Sequence, residues 1–228
     1  MKNIIKKNKK LHKFLLDTRE ILRIFYNTKT RSRFFWTLRN GDNTLSLNYK
    51  LNQESIVFDV GAYIGVFTEK IYNKHQCTVH AFEPLEEYCK ILNKKFENKP
   101  KIIINNFGLL DRNEQVRLSN IGGASSVFSR KEGAVNTYVE MKSFAYYIEK
   151  ESINKIDLLY INIEGSEYEL LKEIIENGDI KKIKHLQIQF HNFVDGAKLL
   201  RKEIVSSLKK THKRKFNFPF VWERWDLR

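Results

Sequence analysis

The 228-residue chain has only three prolines and two cysteines. Cys77 and Cys89 are too few for a disulfide framework, and neither has a partner at C-x-x-C spacing, so both read as buried, reduced thiols. No uncharged apolar run reaches the roughly 18 residues that a membrane-spanning helix needs. The opening stretch MKNIIKKNKKLHKFLLDTRE is basic, but it lacks the continuous apolar segment and small-residue cleavage site of a signal peptide. Internal repeats are absent, as are low-complexity linkers beyond the Lys-rich first ten residues. These absences point to a cytoplasmic, globular chain, in which 42% hydrophobic residues suffice for one large core.

Acids are scarce at the two ends. Residues 1–40 carry twelve Lys and Arg against two acids and residues 198–228 carry ten against three, whereas residues 41–197 carry nineteen against twenty-two. The net charge of +14 is therefore a property of the termini. Such ends suit anionic headgroups at the inner face of a membrane, a phosphate-bearing substrate or RNA. A solvated charged face accounts for them equally well, so charge alone does not decide function.

The pattern divides the chain into a basic N-terminal helical extension, residues 1–50, and one domain, residues 51–228. Within the extension, Leu11, Leu15, Thr18, Leu22 and Phe25 fall at helical spacing and predict an amphipathic helix over 11–26 that packs on the domain. From Ser55 onward short apolar runs alternate with amphipathic stretches. Strands are expected at 55–60, 78–82, 101–105, 156–163, 185–190 and 216–222, and helices at 64–74, 85–96, 143–151, 167–177 and 197–210. Alternation with largely apolar strands means a mostly parallel α/β sheet with helices on both faces. Residues 112–142 differ, with alternating runs around IGGASS, and predict a hairpin insertion near the sheet edge or site.

In such a sheet a nucleotide-like ligand lies at the first strand-to-helix turn, here VFDVGAYIGVF, residues 57–67. Gly61 permits close backbone approach, and Gly65 lets the following helix pack tightly. The dinucleotide fingerprint G-x-G-x-x-G is missing, and Asp59 immediately precedes the turn, where a carboxylate repels pyrophosphate but suits a cation. The second strand ends in A-F-E-P, placing Glu83 where an acid accepts ribose hydroxyls. An adenosyl ligand with an amino group and no phosphate fits both acids, and S-adenosylmethionine meets that description. Taken singly, Asp59 also reads as a turn-capping carboxylate, and Glu83 as an acid at a helix N-terminus.

The segments V-F-D-V-G-A-Y-I-G, A-F-E-P and I-D-L-L-Y-I-N-I-E-G-S-E-Y-E-L-L, in that order and spacing, resemble the FkbM-type methyltransferases over residues 55 to 192. L-Q-I-Q-F-H-N-F and F-V-W-E-R-W are similar to a bacterial branch of the family associated with surface-glycan gene clusters. The resemblance implies a Rossmann-like methyltransferase fold and methyl transfer to oxygen, commonly a sugar hydroxyl. It assigns Asp59, Gly61, Ala62, Tyr63 and Gly65 to the cofactor turn and Glu83 to the ribose. A looser match of N-F-G-L-L-D makes Asp111 an adenine-side candidate. The family usually reads L-L-K-x-D-x-E-G on the fourth strand; here Tyr160 replaces the lysine and Asn162 the aspartate, and an asparagine takes no proton.

Transfer from a sulfonium needs alignment above all, worth about 7–11 kcal/mol, plus a base for the hydroxyl proton. His191 is the natural base, since an unperturbed imidazole with a pKa of about 6.5 is largely neutral at cytoplasmic pH. Glu164 orients it, acts alone, or helps hold a divalent cation that positions a sugar diol. Asn162 is available to orient a hydroxyl or to ligate that cation. Glu167 is either a site acid or the N-terminal acid of the next helix. The aromatic run FNFPFVW reads as a final strand, leaving Trp225 for substrate or packing.

The expected acceptor is a sugar of a bacterial surface polysaccharide or its nucleotide-linked or lipid-linked precursor. RNA is the alternative acceptor, set back by the absence of an RNA-binding module and of an N-P-P-Y-like motif. A noncatalytic binding module on the same fold is the second alternative.

Overall fold

The computed structural model describes residues 25–121, 124–126 and 135–228, and the helix expected over 11–26 lies almost wholly outside them. The main sheet has seven strands in the order β10-β11-β9-β8-β1-β2-β3, where β1 is Ile56–Val60, β2 Thr78–Phe82, β3 Ile102–Asn105, β8 Leu158–Ile161, β9 His185–Ile188, β10 His212–Phe218 and β11 Trp222–Leu227. From β3 through β9 all pairings are parallel, and β11 runs antiparallel to both its neighbours. Counted along the chain, the strands lie in the order 3-2-1-4-5-7-6. The order reverses direction between β1 and β8, the place where open α/β sheets bind ligands.

Helices α1 (Thr28–Leu38), α2 (Val66–His75), α3 (Glu86–Phe96), α4 (Phe144–Lys150), α5 (Glu167–Glu176) and α6 (Ala197–Thr211) complete the described core. One face of the sheet packs Phe58, Leu159 and Ile188 with Phe144, Leu171 and Leu208, and the other packs Val57, Val79 and Leu158 with Ile71 and Leu92. Burial on both faces explains why these strands read as continuous apolar runs. Cys77 and Cys89 are buried and not disulfide-bonded.

The described parts of residues 112–142 pair as the expected hairpin. β5 (Glu114–Ile121) pairs antiparallel with β7 (Val135–Ser143), and with β4 (Gly108–Leu110) and β6 (Ala124–Ser126) they make a second, four-stranded sheet. Leu118 and Met141 from this sheet are carried to the cleft above β2.

The single strand expected at 216–222 is instead a hairpin. Residues 219–221 turn, with Phe220 at φ +60°, because Pro219 has no N–H to donate to a ladder. Trp225 on β11 is 0% exposed and belongs to the core, so its role is packing. At the same edge α1 seats Trp36 against Phe216, Phe218 and Trp222. No helix among the described residues is long and apolar enough to cross a membrane.

Candidate active site

The turn after β1 is built around a steric requirement. Gly61 has φ +89°, and a Cβ there would lie 2.1 Å from the backbone oxygen of Asn162. Only glycine fits that dihedral and that approach. Gly65, at φ +72°, lets α2 close on Leu92 and Phe96 of α3, each of which a Cβ would meet at 2.7 Å. The N–H groups of Gly61 and Ala62 both donate to the carbonyl of Phe82 at 3.0 Å, tying the turn to the end of β2. Tyr63 holds φ +52° without being glycine, a conformation that costs about 1 kcal/mol or more and is concentrated at functional sites.

Glu83 fastens that strained turn. Its Oε2 accepts the Tyr63 N–H at 2.9 Å and its Oε1 accepts the Leu85 N–H at 2.9 Å. Burial pushes its carboxyl up to about 7 despite these two bonds. Each oxygen keeps a lone pair for a further donor, which is what a pair of ribose hydroxyls supplies.

Asp59 is 1% exposed, and its Oδ2 accepts the Thr68 hydroxyl at 2.5 Å, so it braces β1 against α2 rather than projecting freely into the turn. Burial pushes it up to about 6.

Two cavities meet at Gly61, Tyr63 and Asn162. One runs over β2 between Glu83, Tyr88, Gly108 and Met141 toward Glu164, and the other runs beneath the turn between Asp59, Lys70 and Tyr160. Asn162 Oδ1 is buried without a hydrogen-bond partner. An acceptor left unpaired in a protein interior costs about 1–3 kcal/mol unless a ligand donor satisfies it. With a backbone cradle at Gly61, an unsatisfied carbonyl at Asn162 and carboxylates at Asp59 and Glu83, the donor set fits an adenosyl ligand bearing an ammonium group.

Tyr160, in place of the family's lysine, stacks on Phe67 with centroids 3.7 Å apart and planes 9° from parallel. Its other neighbour is Trp222 at 4.6 Å. The position is thus part of an aromatic layer and has no charge to offer.

At the carboxyl ends of β8 and β9 three side chains converge. His191 Nε2 lies 3.4 Å from Glu164 Oε1, and its Nδ1 lies 3.3 Å from both oxygens of Glu167. Glu167 is 0% exposed and also accepts the backbone N–H groups of His191 at 2.6 Å and Gly165 at 2.8 Å. It is therefore not an exposed helix-capping acid. Burial opposes charge on His191, but the two carboxylates outweigh it and push the imidazole up to about 9. The expected neutral imidazole is thus replaced by an imidazolium at neutral pH, which has no lone pair for a hydroxyl proton. The hydrogen bond from His191 holds Glu164 below the usual carboxylate range. Glu164, at φ +48°, lines the cavity that holds Glu83.

Asp111 is not brought to this group: it pairs with Arg112 and does not line either cavity. His185 pairs with Asp226, and His212 bonds the carbonyl of Ile183, both away from the cleft. Lys29 went unnoticed in the sequence. Its Nζ reaches Asn192 Oδ1 at 3.2 Å, and its charge is felt by Glu164. Nothing in the local pattern singles out one lysine among so many. Among the described residues no group of three or more His, Cys, Asp or Glu is arranged to hold a metal ion.

Sheet order, turn and acid placement define a Rossmann-like methyltransferase. The family model for the methyltransferase FkbM domain matches residues 59–218, so the chain belongs to the FkbM methyltransferases, which use S-adenosylmethionine. Among solved structures it is similar to a putative rRNA-methylase from Clostridium thermocellum, with a TM-score of 0.51 and 9% identity over 83% of this chain and 94% of that one. It is also similar to a putative methyltransferase from Streptococcus mutans in complex with SAH, with a TM-score of 0.49 and 14% identity over 84% and 97% of the two chains. At such identities the likeness bears on the fold alone. A search of curated proteins returns no match.

Proposed function

We propose that the protein methylates a sugar hydroxyl of a bacterial surface polysaccharide, or of its nucleotide-linked or lipid-linked precursor, with Glu164 receiving the hydroxyl proton. The observation that carries this reading is the Glu164–His191–Glu167 arrangement beside the cavity that holds Glu83. The His191 imidazolium there lies between two carboxyl groups, and it holds Glu164, the one that lines the cavity, in its ionised, proton-accepting form at neutral pH.

S-adenosylmethionine, when bound, supplies a methyl group on a positively charged sulfur. Glu83 would hold the ribose, Asn162 and Asp59 would hold the ammonium end, and the absence of a side chain at Gly61 would leave room for the ligand. Glu164 accepts the hydrogen bond of the acceptor hydroxyl and takes its proton as the new bond forms. His191 fixes the Glu164 carboxylate, and Glu167 fixes His191. The basic ends hold a phosphate-bearing or membrane-associated acceptor, so acceptor binding weakens as salt rises.

The test is methyl transfer from labelled S-adenosylmethionine to nucleotide-linked sugars, lipid-linked sugars and glycan fragments, with RNA in parallel, each with Mg2+ and with EDTA. Labelled sugar supports the reading. Labelled RNA with unlabelled sugar would overturn it, and EDTA sensitivity would add a cation at the sugar diol.

A further inference from the structure

We propose that the groove between α1 and β10 is a subsite for the nucleoside diphosphate portion of the sugar acceptor. The proposal rests on the sugar O-methyltransfer reading above. Arg31 and Phe35 of α1 and its C-cap Arg39 are spaced four residues apart and face Asn217 and Phe218 across the groove. The residues lining it include two arginines and three phenylalanines but no acid. Among the described residues neither arginine has a carboxylate within ion-pairing distance, unlike Arg201 and Arg224, which pair with Glu223 and Asp226.

The chemistry of the lining is specific. Guanidinium groups bind phosphate oxygens two at a time, and aromatic rings present flat faces to a nucleobase. Arg39 packs over the rings of Phe35 at 5.8 Å and Phe218 at 5.7 Å, so a phosphate drawing the guanidinium toward itself would uncover ring faces next to it. Asn217 Oδ1 accepts from Arg201 Nη2 at 3.1 Å, which leaves its amide N–H groups as the donors it can offer in the groove. A simple phosphate would use the arginines and leave the rings idle; a nucleoside diphosphate uses both.

The groove is also joined to the catalytic centre. Trp36, buried under α1, packs on Phe218 at 5.3 Å and on Trp222 at 6.3 Å, and Trp222 packs on Tyr160, which lines the cofactor cavity. At the N-terminal end of α1, Thr28 lines the groove while its neighbour Lys29 reaches Asn192, next to His191. One helix thus borders both the diphosphate groove and the mouth over Glu164, as a sugar attached to a diphosphate requires.

Calorimetric titration of the full chain with UDP, GDP and dTDP, with pyrophosphate, uridine and a short RNA as comparison probes, tests this. At least one nucleoside diphosphate is expected to bind at micromolar concentration and to weaken at high salt. In the double variant Arg31→Ala/Arg39→Ala, both exposed positions, its affinity should fall at least tenfold while SAH affinity is unchanged. Phe218→Ala should weaken the nucleotide and not pyrophosphate. Unchanged nucleotide affinity in the double variant overturns the subsite. SAH binding without any nucleotide binding also overturns it and leaves methyl transfer standing, whereas failure of SAH to bind would bring down the functional reading itself. Pyrophosphate binding as tightly as every nucleotide overturns the nucleoside in favour of a lipid-linked diphosphate, and displacement by RNA at lower concentration overturns it in favour of RNA.

Discussion

His191 Nδ1 lies 3.3 Å from both oxygens of Glu167, while its Nε2 lies 3.4 Å from Glu164. A 2% exposed imidazole between two carboxylates is held charged, and its proton is committed to fixing them. That leaves Glu164, the carboxylate at the cavity, as the base of the proposed methyl transfer.

The first consequence is a pH dependence of stability. His191 has a folded pKa of about 9 against an ordinary value of 6.5. Its contribution is fully present below pH 6.5 and is lost as pH rises through about 9. A shift of that size corresponds to about 3 kcal/mol. Thermal melts of the wild type and His191→Gln should therefore converge between pH 6.5 and 9.5. A difference between them that stays constant with pH would remove the imidazolium.

Glu164→Gln should lower kcat by about 100-fold or more, the usual worth of a positioned base, with SAH affinity unchanged by calorimetry. Glu167→Gln should act differently. It removes one of the two charges that hold His191 protonated, so the pH profile of kcat should move toward lower pH. A fall in kcat with an unmoved profile would reduce Glu167 to packing.

Much of this was legible in the sequence because burial on both sheet faces leaves long apolar runs. Strands β1 to β3, β8 and β9 and helices α2 to α6 fall within a few residues of their expected places. The break at 219–221 was missed although Pro219 marks it, since the alternation of FNFPFVW carries on across the turn. The tight turn after β1 was legible from Gly61 and Gly65, and the sequence placed Asp59 and Glu83 beside it. The charge state of His191 was not, because Glu167 reaches it from another element 24 residues away, and local spacing does not say which carboxylate a fold will bury. Lys29 was hidden for the same reason, at 163 residues from Asn192.

Cofactor affinity should depend on Glu83. Burial places its folded, ligand-free pKa at about 7, and hydroxyl donors of a ribose favour the ionised form. Binding then takes the carboxylate, and affinity falls as pH drops below 7. SAH should bind about tenfold more weakly at pH 6 than at pH 8, with Glu83→Gln removing most of the affinity and leaving only the shallower slope of Asp59, which titrates at about 6. Equal affinity at the two pH values would remove Glu83 from the ribose site.

Gly61→Ala should abolish SAH binding. A methyl group 2.1 Å from the Asn162 carbonyl cannot be accommodated without moving the turn away from β8, and φ +89° is strained for alanine in any case. The loss of stability should be about 2 kcal/mol or more, read by denaturant titration. Gly178→Ala is the control: its φ of +80° imposes the strain, but nothing lies within 4 Å of the added carbon, so the cost should be smaller and SAH binding intact.

Tyr160→Lys, which restores the residue usual in the family, should destabilise this chain. The ring is stacked on Phe67 at 3.7 Å and packed on Trp222 at 4.6 Å, and its phenol is held well above its ordinary pKa by burial. A lysine there would lose both ring contacts and bury an ammonium whose charge Asp59 and Asp42 are near enough to offset only in part. Asp59 already accepts from Thr68 and Asp42 from Trp36 Nε1, so the compensation is partial. We expect a loss of about 3 kcal/mol by denaturant titration, with Tyr160→Phe close to wild type, because the stacking and not the hydroxyl carries the position. A stable lysine variant with full SAH affinity would mean that the aromatic layer is incidental and that the cavity tolerates the family's usual charge.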